Sequence, residues 1–319
     1  MAFQQIPMAA LAWLGRQGTR AIAALVFVGL AAPPIGALLR PFVTEAIFAL
    51  LCIAFLRIDT AALRRHLGRP LIIVGATVWT TLAIPFVFGI VSILIGLDVR
   101  SPDLLLGLML HATASPMMAA PAFAALMDLD ATLVLVTLIT STALVPLTAP
   151  LFVFVFIGPA LALSPVALGV KLFAILAGSA FVGLVLRWII GADRIERRKD
   201  EINGVNILVV FVFVAAVMED VAARMITAPI MMAALTALVF TIFLALFGAT
   251  TLIFARAGRD HALALGFMTS QRNMGLMLAA TGGALPDLTW LYFALSQFPI
   301  YLSPQLLKPL VRRLRRDRQ

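Results

Sequence analysis

The chain consists of long apolar runs with its charges pushed into the gaps between them, and this pattern points to a membrane rather than to water. Ten runs stand out, at 22–39, 42–57, 70–96, 104–127, 131–157, 162–190, 203–218, 228–255, 262–284 and 288–306. A bilayer core about 30 Å thick takes about 20 apolar residues per helical span, so ten spans need about 200 residues. The chain has 319 residues, 62% hydrophobic and 12% charged, which meets that need with short loops to spare. A soluble domain is about half apolar and about one quarter charged, so a soluble enzyme is disfavoured. The lone Cys52 leaves no internal disulfide framework. The first run is long and Pro41 follows it, so it reads as a retained span rather than a cleaved leader. The expected fold class is therefore an all-α integral membrane protein of ten helices. A single membrane domain fills residues 15–310, and a basic cytoplasmic tail follows at 311–319.

The net charge of +9 is a topology signal rather than a nucleic-acid footprint, because of where the charges fall. With the N terminus inside, alternate loops carry nineteen Lys and Arg, among them Arg57, Arg64, Arg65, Arg69, Arg194, Arg197, Arg198 and Lys199. The opposite side carries three: Arg40, Arg100 and Arg224. An odd number of spans would scramble this split. Basic residues stay on the cytoplasmic side of membrane proteins, so both termini are expected in the cytoplasm. The tail at 308–318 reads as a stop-transfer flank attracted to anionic lipid. Two basic residues are left over inside apolar runs: Lys171 and Arg272.

With five spans per half, any internal repeat is inverted, over about 19–157 and 161–306. Such repeats carry broken helices at corresponding places. Run four contains His111-Ala-Thr-Ala-Ser-Pro116 and then Pro121; proline lacks an amide donor and turns Ser115 away from helical geometry. Run nine contains five polar residues in succession, Thr269, Ser270, Gln271, Arg272 and Asn273. They cannot all avoid lipid on a regular helix, so they require a protein-lined or wet interior. Each broken run precedes a proline-rich one: Pro146 and Pro150 after Thr140, Ser141 and Thr142, and Pro299 and Pro304 after Ser296 and Gln297.

These stretches resemble a known family. Residues 109–152, with Ala119-Ala-Pro-Ala-Phe-Ala-Ala125 and Ser141-Thr-Ala-Leu-Val-Pro-Leu-Thr-Ala-Pro150, are similar to the fourth and fifth helices of bile acid:sodium symporters. Arg272-Asn-Met-Gly-Leu276 looks like that family's ninth-helix core, usually Gln-Asn-x-Gly-Leu preceded by a Glu, and Gln297-Phe-Pro-Ile-Tyr-Leu-Ser-Pro304 is similar to its last helix. The resemblance implies two inverted five-helix repeats, with segments 1, 2, 6 and 7 as a panel and 3, 4, 5, 8, 9 and 10 as a core. Segments four and nine would unwind and cross. It further implies transport of a small organic anion by alternating access in a bacterial inner membrane, usually driven by two sodium ions.

The sodium positions of the family are degenerate here. Met268 stands where the family has its Glu, and Arg272 where it has Gln. Ala120 and Pro121 take the place of a Ser-Asn pair, and Thr80 lies near a third-helix Gln. Sodium needs a shell of oxygen ligands, and a fixed guanidinium repels a cation. The expectation is a carrier without the two-sodium mechanism, in which Arg272 either binds a substrate carboxylate or takes the place of the ion. Snorkelling on a shifted helix is a third reading of Arg272. Lys171 reads as snorkelling. His111 reads as a proton relay or as a histidine satisfied by an interhelical hydrogen bond. Thr140, Ser141 and Thr142 either line the site or bond their own helix. Glu219 and Asp220 read as a solvated helix end.

Candidate site residues are thus Arg272, Asn273, Gln271, Ser270, Thr269, Ser115, Pro116, Thr140, Ser141, Thr142 and His111. No catalytic constellation, Walker loop or dinucleotide fingerprint is present, so no enzymatic activity and no cofactor beyond sodium is expected. Expected partners are the anion and the bilayer, not nucleic acid, with the protein a monomer or homodimer. Other readings are an exporter like the arsenite or auxin carriers, and a non-transporting sensor or assembly subunit.

Overall fold

A computed structural model describes residues 2–58, 70–158, 164–283 and 285–316, and all regular structure among them is helical. In chain order the helices are α1 Ala2–Gln17, α2 Thr19–Ala31, α3 Pro33–Leu56, α4 Pro70–Leu94, α5 Leu97–Arg100, α6 Pro102–Thr113, α7 Ala120–Leu126 and α8 Ala131–Ile157. There follow α9 Pro165–Ile190, α10 Ala192–Arg197, α11 Lys199–Val217, α12 Val221–Thr227, α13 Pro229–Ile253, α14 Arg259–Ser270, α15 Met274–Thr281 and α16 Asp287–Arg316.

Six stretches are long and apolar enough to cross a membrane: α3, α4, α8, α9, α11 together with α12, and α13. They carry large exposed apolar side chains such as Leu71, Leu147, Phe173 and Ile230, which water would penalise and lipid accepts. These are the features of a multi-pass membrane protein. Among the described residues, six helical stretches meet the length and apolarity of a span, against the ten expected. Runs four and nine are each split into two short helices, α6 with α7 and α14 with α15.

The first two runs are also divided differently from the expectation. The chain breaks at Ala32 (φ −126°, ψ 62°), and Pro33 and Pro34 open α3, which continues through a tight turn at Arg40–Phe42 to Leu56. Proline fits the first turn of a helix, where its missing donor has no partner to lose, so the proline pair starts a span and Pro41 ends none. The C-terminal boundary moves as well. Helix α16 runs unbroken through Pro299, Pro304 and Pro309 to Arg316, so residues 311–316 are not a separate tail. Leu307, Val311 and Leu314 lie at helical spacing and pack against the apolar core. Lys308 donates to the Leu126 carbonyl at 2.6 Å, closing the C-terminal end of α7.

The chain divides into two compact units, Met1–Ile58 with Ala174–Met232, and Asp59–Phe173 with Ala233–Gln319. In the first unit α1 lies antiparallel along α11. Two glycines permit the approach. A Cβ at Gly204 would collide with the Leu11 carbonyl oxygen, and one at Gly15 with that of Asp200. Glu219 and Asp220 pair with Arg40 at 3.2 and 3.6 Å, so they are an ion-pair site and not only a solvated helix end.

In the second unit, Phe123, Met127, Val134, Phe243, Phe247, Phe267 and Met268 belong to an apolar core cluster around α7, α8, α13 and α14. Asp130 caps α8 by accepting from the Leu133 amide at 2.9 Å. This unit carries both broken helices.

The glycine contacts in the first unit are with backbone atoms, which cannot swing aside. Gly204→Val is expected to lower the thermal unfolding midpoint of the purified protein, at a cost of about 1–3 kcal/mol. Gly248→Ala, whose Cβ meets nothing within 4 Å, is expected to leave the midpoint unchanged or raise it.

Candidate functional site

The two broken helices meet at their breaks. Helix α6 ends at Thr113, and Ala114 (φ −61°, ψ 145°) turns the chain into an extended stretch because Pro116 forbids helical geometry just before it. Helix α14 ends at Ser270, and Gln271 to Asn273 form the second extended stretch before α15. Pro116 and Arg272 pair as an isolated antiparallel bridge. The Met117 amide donates to the Gln271 carbonyl at 2.6 Å, and the Asn273 amide donates to the Ser115 carbonyl at 2.7 Å. Backbone that leaves a helix inside an apolar protein must find partners, and here each break supplies them to the other.

Arg272 locks this crossing. Its side chain is 1% exposed, the largest of the fully buried side chains. Nη1 donates to the Ala114 carbonyl at 2.9 Å and, more weakly, to the Thr80 carbonyl at 3.4 Å. Both acceptors are orphans of their own helices. Ala114 closes the C-terminal end of α6, where carbonyls lack helical partners and the helix dipole is negative. Thr80 lies in a π-turn at Trp79–Ala83, in which the Ile84 amide donates to the Trp79 carbonyl. In that register the Thr80 carbonyl would accept from residue 85, which is a proline with no amide hydrogen. Two prolines, Pro85 and Pro116, thus help set up the acceptors that a cation can satisfy. Nε and Nη2 of Arg272 meet no acceptor of the protein.

The sequence candidates divide sharply around this crossing. Thr269 and Ser270 are buried, but their hydroxyls donate back to their own helix: Thr269 to Leu265 and Gly266 at 3.1 Å, and Ser270 to Phe267 at 2.7 Å. Thr269 also bonds Thr250 at 2.8 Å. Asn273 is the cap of α15, its Oδ1 accepting from the Leu276 amide at 3.2 Å. Gln271 donates to Ser303 of α16 at 2.9 Å, while its Oε1 has no partner. Thr140 bonds Thr77 at 2.7 Å and the carbonyls of Val136 and Thr137, which supports its backbone reading. Ser115, Ser141 and Thr142 hold buried hydroxyls without a protein partner, as do Thr80 and Thr137. Met268 and Ala120 are buried in the apolar core, and Pro121 starts α7. Lys171 is exposed.

His111 corrects the sequence reading of a satisfied histidine. Neither ring nitrogen has a hydrogen-bond partner. Its ring stacks on Phe88 with centroids 6.5 Å apart and meets the edge of Tyr292 at 5.8 Å. Tyr292, one of two tyrosines in the chain, keeps a buried hydroxyl without a partner and was not a sequence candidate. Thr137 was missed as well. Its place one turn before Ser141 on α8 was the available signal.

The donor set at the crossing does not fit a sodium ion. The Ala114 carbonyl, an oxygen of the kind a hard cation needs, accepts from the guanidinium instead, and the positive charge beside it repels a second cation. Among the described residues no group of three or more His, Cys, Asp and Glu side chains is arranged to hold a metal. The chain matches no protein-family model and no curated protein with which it was compared.

The cap at Asn273 yields a direct test. Asn273→Ala is expected to destabilise the protein by about 1 kcal/mol, while Asn273→Ser, which keeps an accepting oxygen, retains most of the stability. Thermal unfolding of the purified variants reads both.

Proposed function

We propose that the chain is a secondary transporter of a small organic anion, working by alternating access, with Arg272 as the fixed counter-charge of the site. The observation that carries this reading is a fully buried guanidinium at the crossing of two broken helices, with two of its three nitrogens free of protein acceptors. A buried cation with no acid beside it is costly to keep, and intramembrane charges of this kind mark substrate or ion pathways. A permanent guanidinium is also a charge that cannot be lost to the bilayer interior. The resemblance to bile acid:sodium symporters supports the same reading through the placing of the breaks, as does the inverted repeat that the paired irregularities suggest. The uneven split of basic residues supports a bacterial inner-membrane location with basic loops in the cytoplasm.

The family's two-sodium mechanism is not part of this proposal. Arg272 already satisfies the carbonyl at the end of α6, so no mobile cation is needed to hold the crossing together. Substrate then meets a positive site that is present in every state of the cycle.

Uptake of carboxylates and sulfonates by proteoliposomes, with and without a sodium gradient, tests the reading. Saturable uptake is expected for at least one anion, with no stimulation by sodium. Arg272→Gln is expected to lower that flux about tenfold or more, since a hydrogen bond to a charged group is worth about 1.5–3 kcal/mol. Strong sodium stimulation, or wild-type flux in Arg272→Gln, would sink the proposal.

A further inference from the structure

The nitrogens of Arg272 are divided in a way that specifies what the site receives. Nη1 is committed to the protein, through Ala114 and Thr80. Nε and Nη2 are not, although both are buried. Covalent geometry places Nε–H and one hydrogen of Nη2 side by side on a single edge of the guanidinium, pointing the same way. Two parallel donors in one plane match the two oxygens of a carboxylate, and such charge-assisted pairs are short and directional. Buried polar atoms almost always have partners, so a whole unpaired edge on a side chain 1% exposed calls for an acceptor.

Two residues next to these contacts also hold unpartnered hydroxyls. Ser115 follows Ala114 directly, and Thr80 supplies the second carbonyl that Nη1 meets; the hydroxyls of both residues are buried without a protein partner. A carboxylate accepts about four hydrogen bonds, two more than the guanidinium edge supplies. The charge count also matters. His111, the other titratable side chain on the α6 part of the crossing, has no acceptor on either ring nitrogen to hold a proton there. One fixed positive charge matches one negative charge, and a dianionic phosphate or phosphonate would leave a buried excess.

We infer that the Nε/Nη2 edge of Arg272 is the receptor for a single carboxylate head group, while Nη1 of the same side chain stays on the Ala114 carbonyl as a splint for the crossing. This rests on the proposed anion-transport reading and specifies its head group. One guanidinium therefore does two jobs, and lysine can do only one. An ammonium can reach a carbonyl but has no planar edge for two oxygens.

The test uses the full chain in detergent, with arginine labelled by nitrogen-15 and the Arg272 Nε signal assigned by its loss in Arg272→Lys. The probe is acetate, the bare head group, compared with methanesulfonate and acetamide. Acetate is expected to shift the Nε signal saturably and to raise the thermal midpoint of the wild type by mass action. Methanesulfonate is expected to require about tenfold more for the same shift, and acetamide to leave the signal in place. Arg272→Lys should keep a cooperative melt and lose the acetate-induced rise. No shift with acetate, an equal response to acetamide, or an acetate-induced rise of wild-type size in Arg272→Lys would overturn the inference. The transport reading fails separately, since acetate binding is read in micelles without flux. Binding without uptake of any carboxylate contradicts transport alone, and uptake of sulfonates in preference to carboxylates contradicts the head-group assignment alone.

Discussion

The hydrogen bond from Arg272 Nη1 to the Ala114 carbonyl, 2.9 Å long and closed off from solvent, is the interaction around which the second unit is organised. Two helices stop inside a protein that has little polar surface to offer, and each leaves unpaired backbone behind. The Met117 and Asn273 amides pair part of that backbone across the breaks. The carbonyl at the end of α6 remains, facing the negative end of its own helix dipole, and a positive charge is the natural partner there. The π-turn in α4 adds the Thr80 carbonyl from a third helix, so a single side chain ties α4, α6 and the α14–α15 break together.

This arrangement explains why a cation is tolerated at full burial. The charge is shared between two carbonyl dipoles, and among the described residues no carboxylate pairs with it. A mobile ion at the same place would have to be captured in each cycle; a covalently held one is already there. In the proposed transport cycle the crossing would not be loosened by ion release, so opening and closing would rest on the anion itself.

Much of the crossing was legible in the sequence. Pro116 marked the first break, and the polar run from Thr269 to Asn273 marked the second, because neither can continue a helix against lipid. Arg272 stood out as a charge that topology did not explain. Less legible was which polar side chains bond their own helix and which keep an unpartnered hydroxyl. Thr269 and Ser270 bond their own helix while Ser115, Ser141 and Thr142 do not, and the same residue types fill both roles. The orphaned Thr80 carbonyl needed the π-turn to be seen, although Pro85 was in plain view. Proline alone was a poor guide to breaks: Pro146 and Pro150 sit inside an unbroken α8, and Pro33 and Pro34 open a span rather than close one. Helix α1 was hidden because its packing on α11 depends on two glycines, Gly15 and Gly204, far apart in the sequence.

The central claim, that a fixed guanidinium has taken the place of co-transported cations, has an electrical signature. A carrier that moves a monoanion with two sodium ions brings net positive charge inward, and one that moves the anion against a fixed charge brings net negative charge inward. Current recorded from protein-containing membranes on a solid support, with a transported carboxylate applied in sodium and again in choline, reads the sign directly. The account predicts inward negative charge of the same size in both salts. Inward positive charge that appears only with sodium would contradict it.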